Sequence, residues 1–157
     1  MSKVAVLTAL LSLAASPFAR AAEPCEPPVA VAKRLFETGY SPSSEGARRG
    51  LLAPGFERAV TAEVGCLAKE GLCSLDYDPW LGAQDGEIVG KPEFAVISET
   101  EDFSTVVQMS YRFSVGPRPA TLHAVEIVLS RDAGQCWKVA DLITPIGESL
   151  LHVFSTP

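Results

Sequence analysis

The sequence predicts an α+β domain in which N-terminal helices pack on one face of a curved antiparallel sheet, stapled by two disulfides. Three observations predict it. Apolar residues recur with a helical period up to Lys69, and the period becomes two beyond Phe94. The chain also carries 4 cysteines behind an export-type N-terminus.

The elements follow in chain order. Lys3, the uncharged apolar run Val4–Ala15, the break at Ser16-Pro17 and the small-x-small site Ala19-Arg20-Ala21 form a signal peptide, 1–21, with cleavage expected after Ala21. The apolar run is shorter than the roughly 20 residues a membrane helix needs. Residues 22–28 form a proline-rich arm, and 29–154 a single domain. Pro27-Pro28 suits a helix start. Val29–Phe36 reads as a short helix with Val31 and Leu35 inward and Ala32 beside them. Gly39–Gly46 is loop, and Ala47–Leu52 a helical turn ended by Pro54. Phe56–Lys69 is a stronger helix, since Phe56, Ala59, Val60, Val64 and Leu67 share one face. Gly71 stops it.

Ser74–Gly86 is irregular, crowded with Asp, Gly and Pro. Strands follow at Phe94–Thr100, Ser104–Val115, Thr121–Ser130 and Cys136–Ile143. In the second, Val107, Met109, Tyr111, Phe113 and Val115 face one way. In the third, His123, Val125, Ile127 and Leu129 are in phase; in the fourth, Trp137, Val139, Asp141 and Ile143. Asp132–Gly134 is a hairpin turn, and Ile146–Phe154 a terminal helix. A sheet curling around a helix tends to leave a cavity between them.

The chain has 13 Lys+Arg and 19 Asp+Glu. Removing Lys3 and Arg20 with the signal peptide leaves 11 against 19, a mature net charge of −8. An acidic surface repels phosphate backbones and anionic lipid heads, so nucleic acid is not an expected partner. No membrane insertion is expected after cleavage. Cys25 follows Ala22-Glu23-Pro24, which lacks the small, apolar run that a lipid-attachment cysteine wants. The expected location is therefore the periplasm or the exterior.

All four cysteines lie in the mature part, and four cysteines allow three pairings. Cys66–Cys73 is favoured because it spans a helix end and its turn. Cys25–Cys136 would then tie the N-terminal arm to the last hairpin. The Cys-x6-Cys spacing suits zinc poorly, and no histidine lies near it in sequence.

Helices first, then long strands ending in Cys136-Trp137-Lys138-Val139-Ala140-Asp141-Leu142, resemble the nuclear-transport-factor-2-like (cystatin-like cone) superfamily. More narrowly, Leu75–Asp85 (LDYDPWLGAQD) resembles the Asp-x-Asp…Ala-Gln-Asp segment of an uncharacterised family of small bacterial exported proteins and lipoproteins, a domain of unknown function. The resemblance spans Val29 to Leu151. It implies a cone-shaped pocket domain and an exported life, and it implies no activity. The chain departs from the family in lacking a lipid-attachment site.

Two constellations could carry chemistry. Asp76, Asp78, Gln84 and Asp85 are hard oxygen donors, yet their order does not fit a calcium loop, and such side chains also fix irregular loops through backbone N–H groups. Trp80 is either a binding platform or a core plug. No metal and no cofactor are expected. The second constellation is Asp141, His123 and Tyr111. Superfamily isomerases and dehydratases use such groups as base and oxyanion donors, which implies proton abstraction by Asp141 if the three converge in a cavity. No nucleophile motif or phosphate-binding glycine loop occurs.

The expected function is an exported, non-catalytic binding protein that holds a small ligand or a protein partner. Two alternatives stand beside it. One is an isomerase or dehydratase built on those three residues; the other is a periplasmic immunity protein whose acidic surface steers a basic toxin to it.

Overall fold

A computed structural model describes residues 25–38, 50–100 and 103–156. The signal peptide, its cleavage site and the Gly39–Gly46 loop lie outside them. The order of elements is helix, helix, four strands, helix. Helix α1 is Pro28–Thr38, with Pro28 in its first turn, where a missing N–H costs nothing. Val31, Ala32 and Leu35 are buried.

The helical turn expected to end at Leu52 is not formed in its described part. Leu52 bridges Val139 in parallel. Val139 N–H donates to Leu51 O at 3.0 Å, and Ala53 N–H donates to Val139 O at 2.7 Å. An edge strand presents unpaired backbone groups, and satisfying them outweighs a weak local helical preference.

Helix α2 is Pro54–Glu70. Pro54 opens it, and Gly71 closes it at φ 79°, donating to Leu67 O. Phe56, Ala59, Val60 and Glu63 are its buried residues. Val64 and Leu67, expected on the same face, are only half-buried, because the stripe drifts toward solvent at the helix end.

The four strands form one antiparallel sheet in sequence order: β1 Glu87–Thr100, β2 Ser104–Ser114, β3 Thr121–Arg131 and β4 Trp137–Ile143. The strand expected at Phe94 begins at Glu87. Gly90, Lys91 and Pro92 obscure its start, and the ladder there bulges between Val89 and Glu93. The described helices contribute Val31, Leu35, Phe56, Val60, Leu150 and Phe154 to the core on the inward side of the sheet. The inward row runs Val107, Met109, Tyr111 and Phe113 on β2 and Val125, Ile127 and Leu129 on β3. Phe56, Val60, Leu35 and Trp80 join these in one continuous cluster. Val107, Met109, Val125, Ile127, Leu129 and Val139 are 0% exposed, so no water-sized space touches them. Among the described residues, the stretch of the inner face that these six form is closely packed. Each fully buried aliphatic here stabilises by roughly 1.5–3 kcal/mol relative to exposure.

Phase in β4 departs from strict alternation. Leu129 pairs with Val139 and Val128 with Asp141, so Ala140 is an extra residue. Leu142 therefore turns inward, 1% exposed, and Asp141 shares the outer phase of Val128. After β4, Ser149 bridges Ile143 and caps helix α3, Leu150–Ser155. The terminal helix starts later than Ile146 because the chain first turns, with Gly147 N–H donating to Thr144 O. Both favoured disulfides are formed, Cys25–Cys136 and Cys66–Cys73, with Cα atoms 5.1 and 6.0 Å apart. Cys25 fastens the start of α1 to β4, and Cys73 fastens the acidic loop to α2.

Candidate functional site

The acidic loop is held by its own side chains. Asp78 Oδ1 accepts from Trp80 N–H at 2.8 Å. Leu81 and Gly82 N–H donate to Asp78 O, and Asp78 N–H donates to Ala83 O. Asp76 Oδ2 accepts from Gln84 Nε2 at 3.1 Å. This is how short polar side chains stabilise a turn that no regular ladder can satisfy. Tyr77 donates its hydroxyl to Glu148 and anchors the loop to the segment before α3. Burial, then that carboxylate, pushes the Tyr77 phenol up to about 12. Asp85 is exposed. Trp80 is 9% exposed, with the Phe36 ring set edge-on at 5.3 Å, so it sits as a core side chain. Among the described residues, no three His, Cys, Asp or Glu side chains are grouped to hold a metal ion.

His123 and Tyr111 are direct cross-strand partners on the inner face, with ring centroids 6.0 Å apart. His123 lies closer to Phe113, at 4.6 Å. Its Nδ1 is buried without a hydrogen-bond partner. The Tyr111 hydroxyl donates to Trp80 O. Burial, then the charge of Asp78, pushes this phenol up to about 12. A phenol already donating to a buried carbonyl has no second proton to offer an oxyanion.

Asp141 does not join them. The Ala140 bulge turns its carboxylate to the other phase, opposite Val128. Five residue steps along β3 separate that position from His123, about 17 Å of strand at ~3.4 Å per step. The carboxylate accepts from Ser149 Oγ at 2.5 Å and from Leu151 N–H at 2.9 Å, so it holds the start of α3. Two of the three residues that the acid–base reading needs are thus brought together, and the third is elsewhere.

Glu63 escaped the sequence reading. It is 4% exposed, and its two carboxylate oxygens accept from Ser74 N–H at 3.0 and 3.3 Å. The signal was present, since Glu63 lies seven residues after Phe56 on the same helical face. It fixes Ser74 beside the Cys66–Cys73 bridge, where a shallow depression of about 480 Å³ opens. A second depression, of about 420 Å³, lies over the β1 bulge at Val89, Lys91, Glu93, Arg112 and Leu122. Nothing in the one-dimensional pattern marked it, because it exists only across three strands.

Comparison with known proteins found no family model, no curated protein and no solved structure that matches the chain. Function therefore rests on the molecule's own geometry. Two disulfides fit an oxidising, extracytoplasmic setting. No helix among the described residues is long and apolar enough to cross a membrane.

Proposed function

We propose that the mature chain, released after Ala21 into the periplasm or the exterior, is a non-catalytic binding protein whose partner is another protein. The carrying observation is how the inner face is used. Val107, Met109, Val125, Ile127 and Leu129 have no water-sized space against them, Tyr111 donates to a main-chain carbonyl, and Asp141 holds a helix start. A small-ligand pocket or proton-transfer site would need those groups turned toward an open cavity. Among the described residues, none on the other face of β2 or β3 is fully buried. Helices followed by a four-stranded meander are consistent with the resemblance to the cone superfamily, whose members include binders.

Native mass spectrometry of the protein isolated from its own cells tests this. The expected species begins at Ala22 and has no free thiol, in complex with a second protein. A retained stoichiometric small molecule would overturn the protein-partner reading. An uncleaved chain with reduced cysteines would overturn the exported one.

A further inference from the structure

We infer that the depression at the β1 bulge docks an acidic, aliphatic helix of a partner protein. This rests on the binding-protein reading and specifies its surface. The register builds the site. Val89 on β1 pairs with Arg112 on β2, and Arg112 pairs with Leu122 on β3, so the three form one row across the outer face. Between Val89 and Glu93, β1 inserts Gly90, Lys91 and Pro92 opposite Tyr111 alone. That bulge brings Lys91 to the rim of the row, and Gly90 adopts a left-handed φ of 80°.

The row is apolar, then cationic, then apolar. Leu122 is 78% exposed, more than any other large hydrophobic side chain among the described residues, and Val89 is 42% exposed. Arg112 donates one hydrogen bond to Ala120 O, at 3.0 Å, and its side chain is exposed. Neither Lys91 nor Arg112 lies within ion-pair distance of a carboxylate among the described residues, where the pairs are Arg34–Glu26 and Lys138–Asp132. With Glu93 at the rim, the depression holds two cations and one anion, on a chain with 13 cations and 19 anions. Its sign is opposite to that of the molecule, which selects an acidic partner.

Spacing selects the partner's secondary structure. Val89 and Leu122 are two strand intervals apart, about 9.6 Å at ~4.8 Å each. An extended segment places same-face side chains about 6.8 Å apart with nothing between them on that face. A helix places residues i and i+7 about 10.5 Å apart, with i+3 and i+4 between them on the same face. Aliphatic residues at i and i+7 would meet Val89 and Leu122. A Glu at i+4 would meet Arg112 and Lys91.

The test uses the mature, disulfide-intact protein and a capped, alanine-based helical peptide with Leu at i and i+7 and Glu at i+4. Its twin carries Lys in place of Glu. Amide shifts are expected only around Val89, Arg112 and Leu122. Arg112→Glu and Leu122→Ser are each expected to weaken anisotropy-measured binding about tenfold, with unchanged thermal melting. The proposal is overturned by no binding, by shifts elsewhere, by equal binding of the Lys twin, or by dodecanoate displacing the peptide from the same residues. It is also overturned if the protein self-associates through this row and Leu122→Ser restores the monomer. Those failures would leave the mass-spectrometric test of the binding-protein reading untouched.

Discussion

A Cβ added at Gly86 would lie 2.4 Å from the Phe113 ring and 2.9 Å from Ser114 O, at a φ of 126°. Gly86→Ala is therefore expected to lower stability by about 1–3 kcal/mol, read from urea midpoints at constant slope. Phe113 would have to move, and with it His123, so the His123 ring resonances should shift too. Gln135 is the opposite case. It holds φ 64° in the β3–β4 hairpin although a glycine stands beside it at Gly134. Gln135→Gly should raise stability by up to about 1 kcal/mol, because a left-handed conformation costs an L-residue about that much. The turn was legible in Asp132–Gly134. Which of its residues carries the strain was not, since that depends on Asp132 Oδ1 accepting from Cys136 N–H at 2.9 Å.

At the scale of elements, Asp141 joins β4 to α3. Removing its carboxylate leaves the Leu151 N–H and the Ser149 hydroxyl without their acceptor. Asp141→Ala should cost about 1–3 kcal/mol and speed amide exchange at Leu151, while leaving amides of β2 and β3 protected. A purely catalytic Asp141 would show no such local loosening, so the exchange pattern separates the two roles. Strand phase was legible for β2 and β3, where alternation is strict and one face is buried. It failed in β4 because one inserted residue, the small Ala140, reverses every later side chain without leaving a compositional mark. The helix stop at Gly71 was legible because Gly acts locally, whereas Pro54, read as the end of a preceding turn, instead opens α2.

At the scale of the whole molecule, the two disulfides should differ in weight. Cys25–Cys136 spans a sequence separation of 111, and Cys66–Cys73 one of 7. On the chain-entropy model the long loop is worth about 4.7 kcal/mol and the short one less than about 3. The Cys25→Ser/Cys136→Ser pair should therefore lower the urea midpoint more than Cys66→Ser/Cys73→Ser. Equal losses would mean that the short bridge acts through the buried Glu63–Ser74 contact instead. Alkali offers a second global probe. Tyr77 and Tyr111 both titrate near 12 in the fold, against an ordinary value of 10.0. Because the folded values are raised, their stabilisation is complete below about pH 10 and is lost as pH climbs toward 12. In a Tyr40→Phe background, tyrosinate absorbance should rise late and together with loss of circular dichroism. Separate transitions would show that neither hydroxyl is tied to the fold.

The chain alone determined that helices precede an antiparallel meander and set the inward rows of β2 and β3, and it favoured, among three possible pairings, the two disulfides that form. These depend on local period, on turn residues and on sequence separation, all of which a linear string contains. Tertiary structure alone decided that Asp141 lies in the opposite phase to His123 and that Val89, Arg112 and Leu122 share a row. Each of these depends on register between strands distant in sequence, where one bulge changes which residues meet, and no local pattern records a bulge. The α+β expectation thus stands in detail, while the acid–base constellation built on β4 alternation comes apart at Ala140.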